Sequence, residues 1–497
     1  MQIEELYKIF LEHPIITTDS RSCPQGSIFF ALRGENFDGN VYASKALAEG
    51  CAYAVIDRRE FAAKGDKRYI VADNALQTMQ DLAAFHREKL ALPVIQITGT
   101  NGKTTTKELV STVLAKKYNV LHTEANYNNH IGVPKTLLRL GKEHEIAVIE
   151  TGANHRGEIA QLTNIVHPDY GIITNVGRAH LEGFGSFEGV VHTKAELYDY
   201  LRKKKDGAIF LNSDSEILCR VAEGLKAYKY GTKAEAHPEV LGEVVNCDPY
   251  ISFKWKSGNG EWHTVETKLI GDYNIANLLA AVAVGIKFNV PETDICEALR
   301  DYVPSNNRSQ LKQTEHNTLI IDAYNANPTS MHAALKNFAE LHAANKMVIL
   351  GEMRELGAES EEEHQKLLDA VSLTGFEKVW LVGECFEKMH PAFPTFHTVD
   401  DVIEEIKKEE AEYLMPTYGR FPVALAEGKG AVAKDVDGKE YIDFTSGIGV
   451  NCLGYSDDGW VKAVSDQAAA LQHISNLYYS PLQTELAKKL CKATGFS

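Results

Sequence analysis

An α/β protein built around a mostly parallel sheet is what this sequence predicts, and three observations carry that prediction. A short buried-strand pattern, Val94-Ile95-Gln96-Ile97-Thr98, passes through Gly99-Thr100-Asn101-Gly102 into a helical pattern at 107–117. The same strand-then-helix order recurs, with apolar runs at 147–150, 170–175 and 208–211. An Ala-rich stretch at 274–288 has the small side chains of a helix packed closely on a sheet. Strands alternating with helices give parallel sheets covered on both faces.

Taken in order, the elements fall into four blocks, and 497 residues leave room for three or four domains at ~100–200 residues each. Residues 1–90 alternate short apolar runs (27–32, 53–56, 69–71) with an Ala-rich segment at 42–50, a small α/β domain. Residues 91–304 hold the strand–loop–helix units, a hairpin-like stretch at 236–269 and the 274–288 helix. Residues 305–408 read as a smaller α/β domain, with strands at 319–322, 347–350 and 379–382 and helices at 330–341, 361–373 and 402–408. At Lys407-Lys408-Glu409-Glu410-Ala411-Glu412 the character changes. Residues 409–497 then carry an Asp437-Gly438 turn between alternating runs, a hairpin signal, followed by two helical stretches.

Composition narrows the function. Lys and Arg total 52 against 68 Asp and Glu, a net charge of −16, which argues against general nucleic-acid binding and against a polybasic membrane surface. No apolar run approaches the ~20 residues of a membrane span, and the first residues lack the basic-then-apolar order of a signal peptide. Eight scattered cysteines form no C-x-x-C pair, as expected of reduced thiols in a cytoplasmic protein. The chain reads as an enzyme without membrane insertion.

The sharpest motif is Gly99-Thr100-Asn101-Gly102-Lys103-Thr104-Thr105, after a strand and before a helix. Glycines let backbone N–H groups approach phosphate oxygens, and the helix N-terminus adds positive potential. Lys103 reaches the β- and γ-phosphates in this reading, and Thr104 ligates Mg²⁺. Two residues separate the glycines, where the general phosphate-loop pattern has four.

That string, with TEANYNNHIGVP at 123–134, IETGANHRGEI at 149–159, NVGRAHLEGFG at 175–185, DAYNANPTS at 322–330 and LGEMRELG at 350–357, resembles the Mur ligase family over about residues 1–408. Thr18-Asp19-Ser20-Arg21 and FALRGENFDG at 30–39 are similar to the family's UDP-binding domain. The resemblance implies a three-domain architecture with a central phosphate-loop domain. It also implies ATP and Mg²⁺ as cofactors. The branch it points to joins D-alanyl-D-alanine to UDP-N-acetylmuramoyl-tripeptide through an acyl phosphate, acting as a monomer.

The resemblance also implies roles for particular residues. Glu150 would ligate Mg²⁺, since a hard cation takes carboxylate oxygen; its motif position favours that role over a solvated strand-end acid. His180 would serve a second Mg²⁺. Lys194 would act there as a carbamate, because a free ammonium would repel the metal. Asn274 and Asn277 would read adenine at a helix start, where Asn274 also suits an N-cap. Arg308 would reach the phosphates, with Asp322 and Asn325 closing on the nucleotide. Asn126, Asn129 and Asn154 would contact the nucleotide-peptide, and Ser20, Arg21, Gly34 and Asp38 its uridine diphosphate. His130 and His155 are loop histidines with a weaker claim on substrate.

From about residue 411 the resemblance changes. Residues 413–423, DGKEYIDF at 437–444, GIGVN at 447–451 and HISNLYY at 473–479 resemble the start of a class III aminotransferase. Pyridoxal phosphate chemistry needs a lysine, an acid for the pyridine nitrogen and a phosphate cup. In that family all three lie beyond the stretch resembled, so this chain is not expected to hold pyridoxal phosphate. The junction reads as a join of two unrelated coding regions that removes the last strands of the ligase. The alternative function is a non-catalytic nucleotide-binding chimera.

Overall fold

The computed structural model describes residues 2–304, 308–314, 317–343, 345–413 (407–413 by backbone alone), 425–436, 438–445, 449–473, 475 and 477–495. Residues 414–423, Asp437, Gly447, Ile448, Ile474 and Asn476, which figure in the expectations above, lie outside them. The chain divides into two units, Met1–Glu404 and Glu405–Ser497.

In the first unit, β1 (Ile16–Thr17), β2 (Ile28–Phe30), β3 (Tyr53–Ile56) and β4 (Tyr69–Val71) form a parallel sheet in that order. Helices α1 (Ile3–Glu12), α2 (Ala43–Ala48) and α3 (Ala75–Leu90) accompany it. Asn74 starts α3, its side chain accepting from Gln77 N at 2.9 Å. Leu6 and Phe10 of α1 then bury against Met79 and Leu82 of α3. Near the end of α3, the buried guanidinium of Arg87 donates to Asp169 at 2.8 Å, tying this helix to the next sheet.

That next sheet has nine strands, ordered β13-β12-β11-β10-β9-β8-β5-β7-β6. The strands are β5 (Val94–Thr98), β6 (Val120–His122), β7 (Ile146–Glu150), β8 (Tyr170–Ile173), β9 (Ala208–Asn212), β10 (Lys226–Gly231), β11 (Val240–Cys247), β12 (Tyr250–Ser257) and β13 (His263–Ile270). Pairing is parallel from β6 to β11 and antiparallel from β11 to β13, so the hairpin expected at 236–269 extends the parallel sheet. Helices α4 (Lys103–Ala115), α5 (Gly132–Leu137), α6 (Glu158–Val166), α7 (Leu181–Phe184), α8 (Phe187–Lys203), α9 (Glu216–Val221), α10 (Ile275–Lys287) and α11 (Glu292–Asp301) lie around it. The Ala-rich α10 packs Leu278, Leu279 and Val282 into a core with Val110 and Val113 of α4 and Trp255 of β12. β5 is buried along its whole length between β7 and β8. After β5 the chain leaves toward β6 on one side and later returns to β8 on the other. This is a topological switch point, where a crevice opens at the strands' carboxyl ends.

The rest of the unit comprises β14 (Gln310–Gln313) paired antiparallel with β15 (Thr318–Ile321), then α12 (Pro328–Glu340), β16 (Met347–Gly351), α13 (Ser360–Thr374), β17 (Lys378–Val382), α14 (Glu384–Met389) and β18 (Thr395–Phe396). β16, β17 and β18 form a small parallel sheet. Its edge strand β16 leaves Ile349 half exposed, as expected of a sheet short of partners. Helix α15 (Val399–Tyr413) starts three residues before the apolar pattern at 402. Thr398 and Asp401 exchange side-chain-to-backbone hydrogen bonds there and fix the earlier start.

The second unit contains the antiparallel strands β19 (Leu425–Lys429), β20 (Val432–Asp435) and β21 (Glu440–Ile442), then α16 (Asp458–Ala470) and α17 (Pro481–Thr494). Neither α16 nor α17 buries a side chain, and Phe444 and Leu477 are about nine-tenths exposed. Among the described residues the apolar positions of these two helices find no buried partner.

Candidate functional site

The crevice above β5 is a cavity of about 600 Å³. Its floor is the Gly99–Thr105 loop. Gly99 sits at φ +146°, where a Cβ would stand 2.0 Å from Thr174 Oγ1; Gly102 sits at φ +75°, where a Cβ would stand 2.7 Å from Asn277 Oδ1. Both glycines are needed for the loop to lie this close to β8 and α10. Helix α4 begins at Lys103, four residues before its apolar pattern, because the polar Lys103-Thr104-Thr105-Thr106 turn carries no apolar stripe. Its N-terminus therefore meets the cavity.

The loop is held from β8. Thr100 N donates to Asn175 O at 3.0 Å and Asn101 N to Asn175 Oδ1 at 2.9 Å. Thr174 Oγ1 and Asn175 Nδ2 both donate to Asn101 O, at 2.6 and 3.0 Å. Lys103 Nζ folds back onto Gly99 O and Thr100 O at 2.9 and 2.8 Å. Burial pushes its ammonium down to about 8, against the pull of Glu150 and with the help of Arg308.

Glu150, the last residue of β7, is 1% exposed. Its Oε1 accepts from Thr104 Oγ1 at 3.2 Å and Asn128 Nδ2 at 2.8 Å, while the buried Oε2 has no partner among the described residues. An unpaired buried carboxylate oxygen is costly and calls for a cation or a donor. A hydroxyl and a carboxylate at the mouth of a phosphate-type loop form an oxygen donor set suited to Mg²⁺.

Lys194, on α8, is 2% exposed, with Nζ 5.5 Å from the Phe184 ring centroid and no hydrogen-bond acceptor among the described residues. Burial first, then Lys103, lowers it to about 7, so near neutral pH much of it is the free amine. It does not line the cavity; His180 does. His180, at φ +52°, pairs its Nδ1 with Glu355 from the 350–357 segment. Burial pulls the imidazole down while Glu355 pushes it up.

The opposite wall comes from α10 and from residues 308–333. Asn274 corrects one expectation: it stands before α10, yet its side chain makes no cap bond. Its Nδ2 donates to Ile270 O at 2.8 Å and its Oδ1 accepts from Asn277 Nδ2 at 2.8 Å. Asn277 in turn accepts from Thr106 Oγ1 at 3.0 Å. Arg308 lies 3.7 Å over the Tyr324 ring with its buried Nε unpaired. Asp322 is raised by burial, and Asp322 and Asn325 both line the cavity. Asn129 and Asn154 line it as well, together with His130 and His155. Asn126 does not line it, and neither do the four uridine-side residues. Arg21 pairs with Asp19 at 2.9 Å, Asp38 pairs with Arg58 at 2.7 Å, and Ser20 and Gly34 lie in loops of the first sheet.

Comparison with known proteins places this geometry. The Mur ligase family's catalytic domain matches residues 13–96, the Mur ligase middle domain 97–285, and the Mur ligase glutamate ligase domain 307–414. A Bacillus subtilis protein named UDP-N-acetylmuramoyl-tripeptide–D-alanyl-D-alanine ligase is 34% identical over 371 residues, 74% of this chain and 80% of its own. The chain belongs to the Mur ligase family. An Escherichia coli protein of the same name is 33% identical over 74% of this chain and 81% of its own. The crystal structure of MurF from Acinetobacter baumannii superimposes with a TM-score of 0.72 at 30% identity, covering 80% of this chain and 88% of that one. A Thermotoga maritima MurF ligase in complex with ADP shares the fold, at TM-score 0.71 and 23% identity, over 80% of this chain and 91% of that one. Residues 413–497 match the class-III aminotransferase family. Among the described residues no helix is long and apolar enough to cross a membrane.

Several residues of this Mur ligase site were not singled out from sequence: Asn128, Thr174, Asn175, Tyr324, Asn327 and Glu355. Asn128 sits in the Asn-rich run 126–129, where its neighbours drew attention instead. Asn327 carried a usable signal, an Asn before Pro-Thr-Ser, which marks a helix start. Glu355 lies in the resembled segment 350–357, but nothing there points to His180, its partner 175 residues away.

Proposed function

We propose that this chain is an ATP-dependent ligase joining D-alanyl-D-alanine to UDP-N-acetylmuramoyl-tripeptide, a step in making peptidoglycan precursor. The observation that carries the reading is the buried Glu150 with one unpaired oxygen, held by Thr104 at the head of the Gly99–Thr105 loop. It is joined by membership of a family whose similar proteins bear that name. The boundaries 1–90, 91–304, 305–408 and 409–497 remain our domain assignment.

The tripeptide's terminal carboxylate attacks the γ-phosphorus of ATP, the bond to ADP breaks, and an acyl phosphate results. The amine of D-alanyl-D-alanine then attacks the acyl carbon; an amide forms, phosphate leaves, and the amine loses a proton. Gly99, Thr100, Asn101, Gly102 and Thr105 present the loop to the phosphates, and Lys103 turns from its carbonyls to the β- and γ-oxygens. Arg308, stacked on Tyr324, adds a second positive charge; Asn274, Asn277, Asp322 and Asn325 hold the nucleoside. Such positioning of anions by fixed donors is where most of the rate gain in phosphoryl transfer originates.

Thr104 and Glu150 would hold Mg²⁺, which when bound neutralises charge on the phosphates. Lys194 supports a second anionic position: its free amine adds CO₂, forming an N–C bond and releasing a proton, and the carbamate would face a cation with His180. Asn129 and Asn154 contact the nucleotide-peptide from the cavity. Asn126, Ser20, Arg21, Gly34 and Asp38 take its more distant end. We assign no pyridoxal phosphate site to residues 413–497.

The test is phosphate release by the purified full chain with ATP and Mg²⁺. Release that requires both UDP-N-acetylmuramoyl-tripeptide and D-alanyl-D-alanine is expected; nucleotide binding without such release would overturn the assignment.

A further inference from the structure

Asn327 is nine-tenths buried and joins two parts of the site that sequence keeps 226 residues apart. Its Nδ2 donates to Asn101 Oδ1 at 2.7 Å and its Oδ1 accepts from Asn101 Nδ2 at 3.2 Å, a reciprocal amide pair. The same Oδ1 accepts from Ser330 N at 3.0 Å, and Ser330 Oγ faces Asn327 N at 3.3 Å, so Asn327 also caps α12. Asn101 itself is fastened to β8 by Thr174 and Asn175. A continuous run of hydrogen bonds therefore leads from β8 through the loop into the start of α12.

The cap alone does not account for this. Aspartate would cap α12 as well but has no donor for Asn101, and serine or threonine offers one short-reaching oxygen where Asn327 presents two separate atoms, Nδ2 and Oδ1, to the amide of Asn101. An amide facing an amide gives a fixed distance and orientation. We propose that Asn327 is a positioning residue, one that sets the register of the segment bearing Arg308, Asp322 and Asn325 against the loop bearing Lys103. Its effect on turnover rests on the ligase reading above; its effect on loop order does not.

Asn327→Ser separates the two roles, because it keeps the cap and removes the reach to Asn101. Hydrogen exchange on the ligand-free full chain is read first. The expected result is at least tenfold faster exchange at the amides of residues 101–105, with the interior of α12 unchanged and a melting temperature lowered by only a few degrees, as the loss of two buried hydrogen bonds requires. Exchange unchanged in the loop would overturn the proposal, and so would faster exchange confined to α12. Phosphate release is read next. The expected result is a roughly tenfold lower kcat with the KM for D-alanyl-D-alanine unchanged, and no further loss when Asn101→Ser is added to Asn327→Ser. Full kcat in Asn327→Ser, or losses that multiply in the double variant, would overturn it. No phosphate release by the wild-type chain, with the loop effect still seen in Asn327→Ser, would remove the ligase reading and leave the positioning role in place.

Discussion

Gly102→Ala is the perturbation whose size follows most directly from the loop's geometry. Gly102 has φ +75° and ψ 0°, and a left-handed conformation costs an L-residue about 1–2 kcal/mol. The new Cβ would stand 2.7 Å from Asn277 Oδ1 and 3.1 Å from its Nδ2, so the Asn277 amide must move. That amide accepts from Thr106 Oγ1 at 3.0 Å and donates to Asn274 Oδ1 at 2.8 Å. Losing these two buried bonds costs about 1 kcal/mol each. The stiffer unfolded chain returns roughly 0.4–1 kcal/mol. The net loss is about 2–3.5 kcal/mol, or about 4–14 °C in the melting temperature of a ~200-residue block. Calorimetry of the variant with and without ADP reads both consequences: the lowered transition and an ADP affinity weakened at least tenfold. A variant melting within a degree of the wild type, with ADP affinity intact, would refute the argument that this glycine lets the loop lie against α10.

Lys103→Met removes a charge-assisted donor from the phosphate position and should weaken ATP binding by roughly a hundredfold in titration calorimetry while leaving the fold intact. Lys103 and Lys194 are held at about 8 and about 7, below the usual lysine value of about 10.5. The unfolded chain therefore binds more protons above these values, and the ligand-free protein should gain stability as pH rises from about 7 toward 9 in CO₂-free buffer. Lys194→Met should melt higher than the wild type at pH 6.5, with the difference shrinking by pH 9. Arg178→Ala breaks an ion pair to Glu359 at 2.6 Å, but Arg178 is 47% exposed, so denaturation should register no more than about 0.5 kcal/mol. In the second unit, where α16 and α17 bury nothing, amides of 458–494 should exchange at nearly free-chain rates and limited proteolysis should cut there first.

Much of this architecture was legible because local chemistry and global fold agree. The run 94–98 is legible as a strand because Val94, Ile95 and Ile97 mark a segment buried along its whole length, polar Gln96 and Thr98 included, and the alanines of 275–287 report a helix pressed onto the sheet. The Gly99–Thr105 motif located the cavity floor, since a phosphate loop is a local structure set by a few adjacent residues. The cavity's far wall was legible only by resemblance. Arg308 stacked on Tyr324, Asn327 against Asn101 and His180 against Glu355 are meetings of distant segments that no spacing in the chain encodes. Asn274 shows another case: it sits where a cap is expected, yet its amide bonds to Ile270 O four residues back and to Asn277 three residues on, local bonds that compete with capping. Residues 425–494 show a third case, since strand and helix patterns formed their elements but a pattern alone supplies no core.

The measurement that bears most directly on the central claim follows oxygen. UDP-N-acetylmuramoyl-tripeptide carrying ¹⁸O in its terminal carboxylate is turned over with ATP, Mg²⁺ and D-alanyl-D-alanine, and the released phosphate is analysed by mass. Attack of the carboxylate on the γ-phosphorus predicts one labelled oxygen in each phosphate and a matching amount of pentapeptide product. Phosphate without label, or released in the absence of the dipeptide at the same rate, would contradict the account.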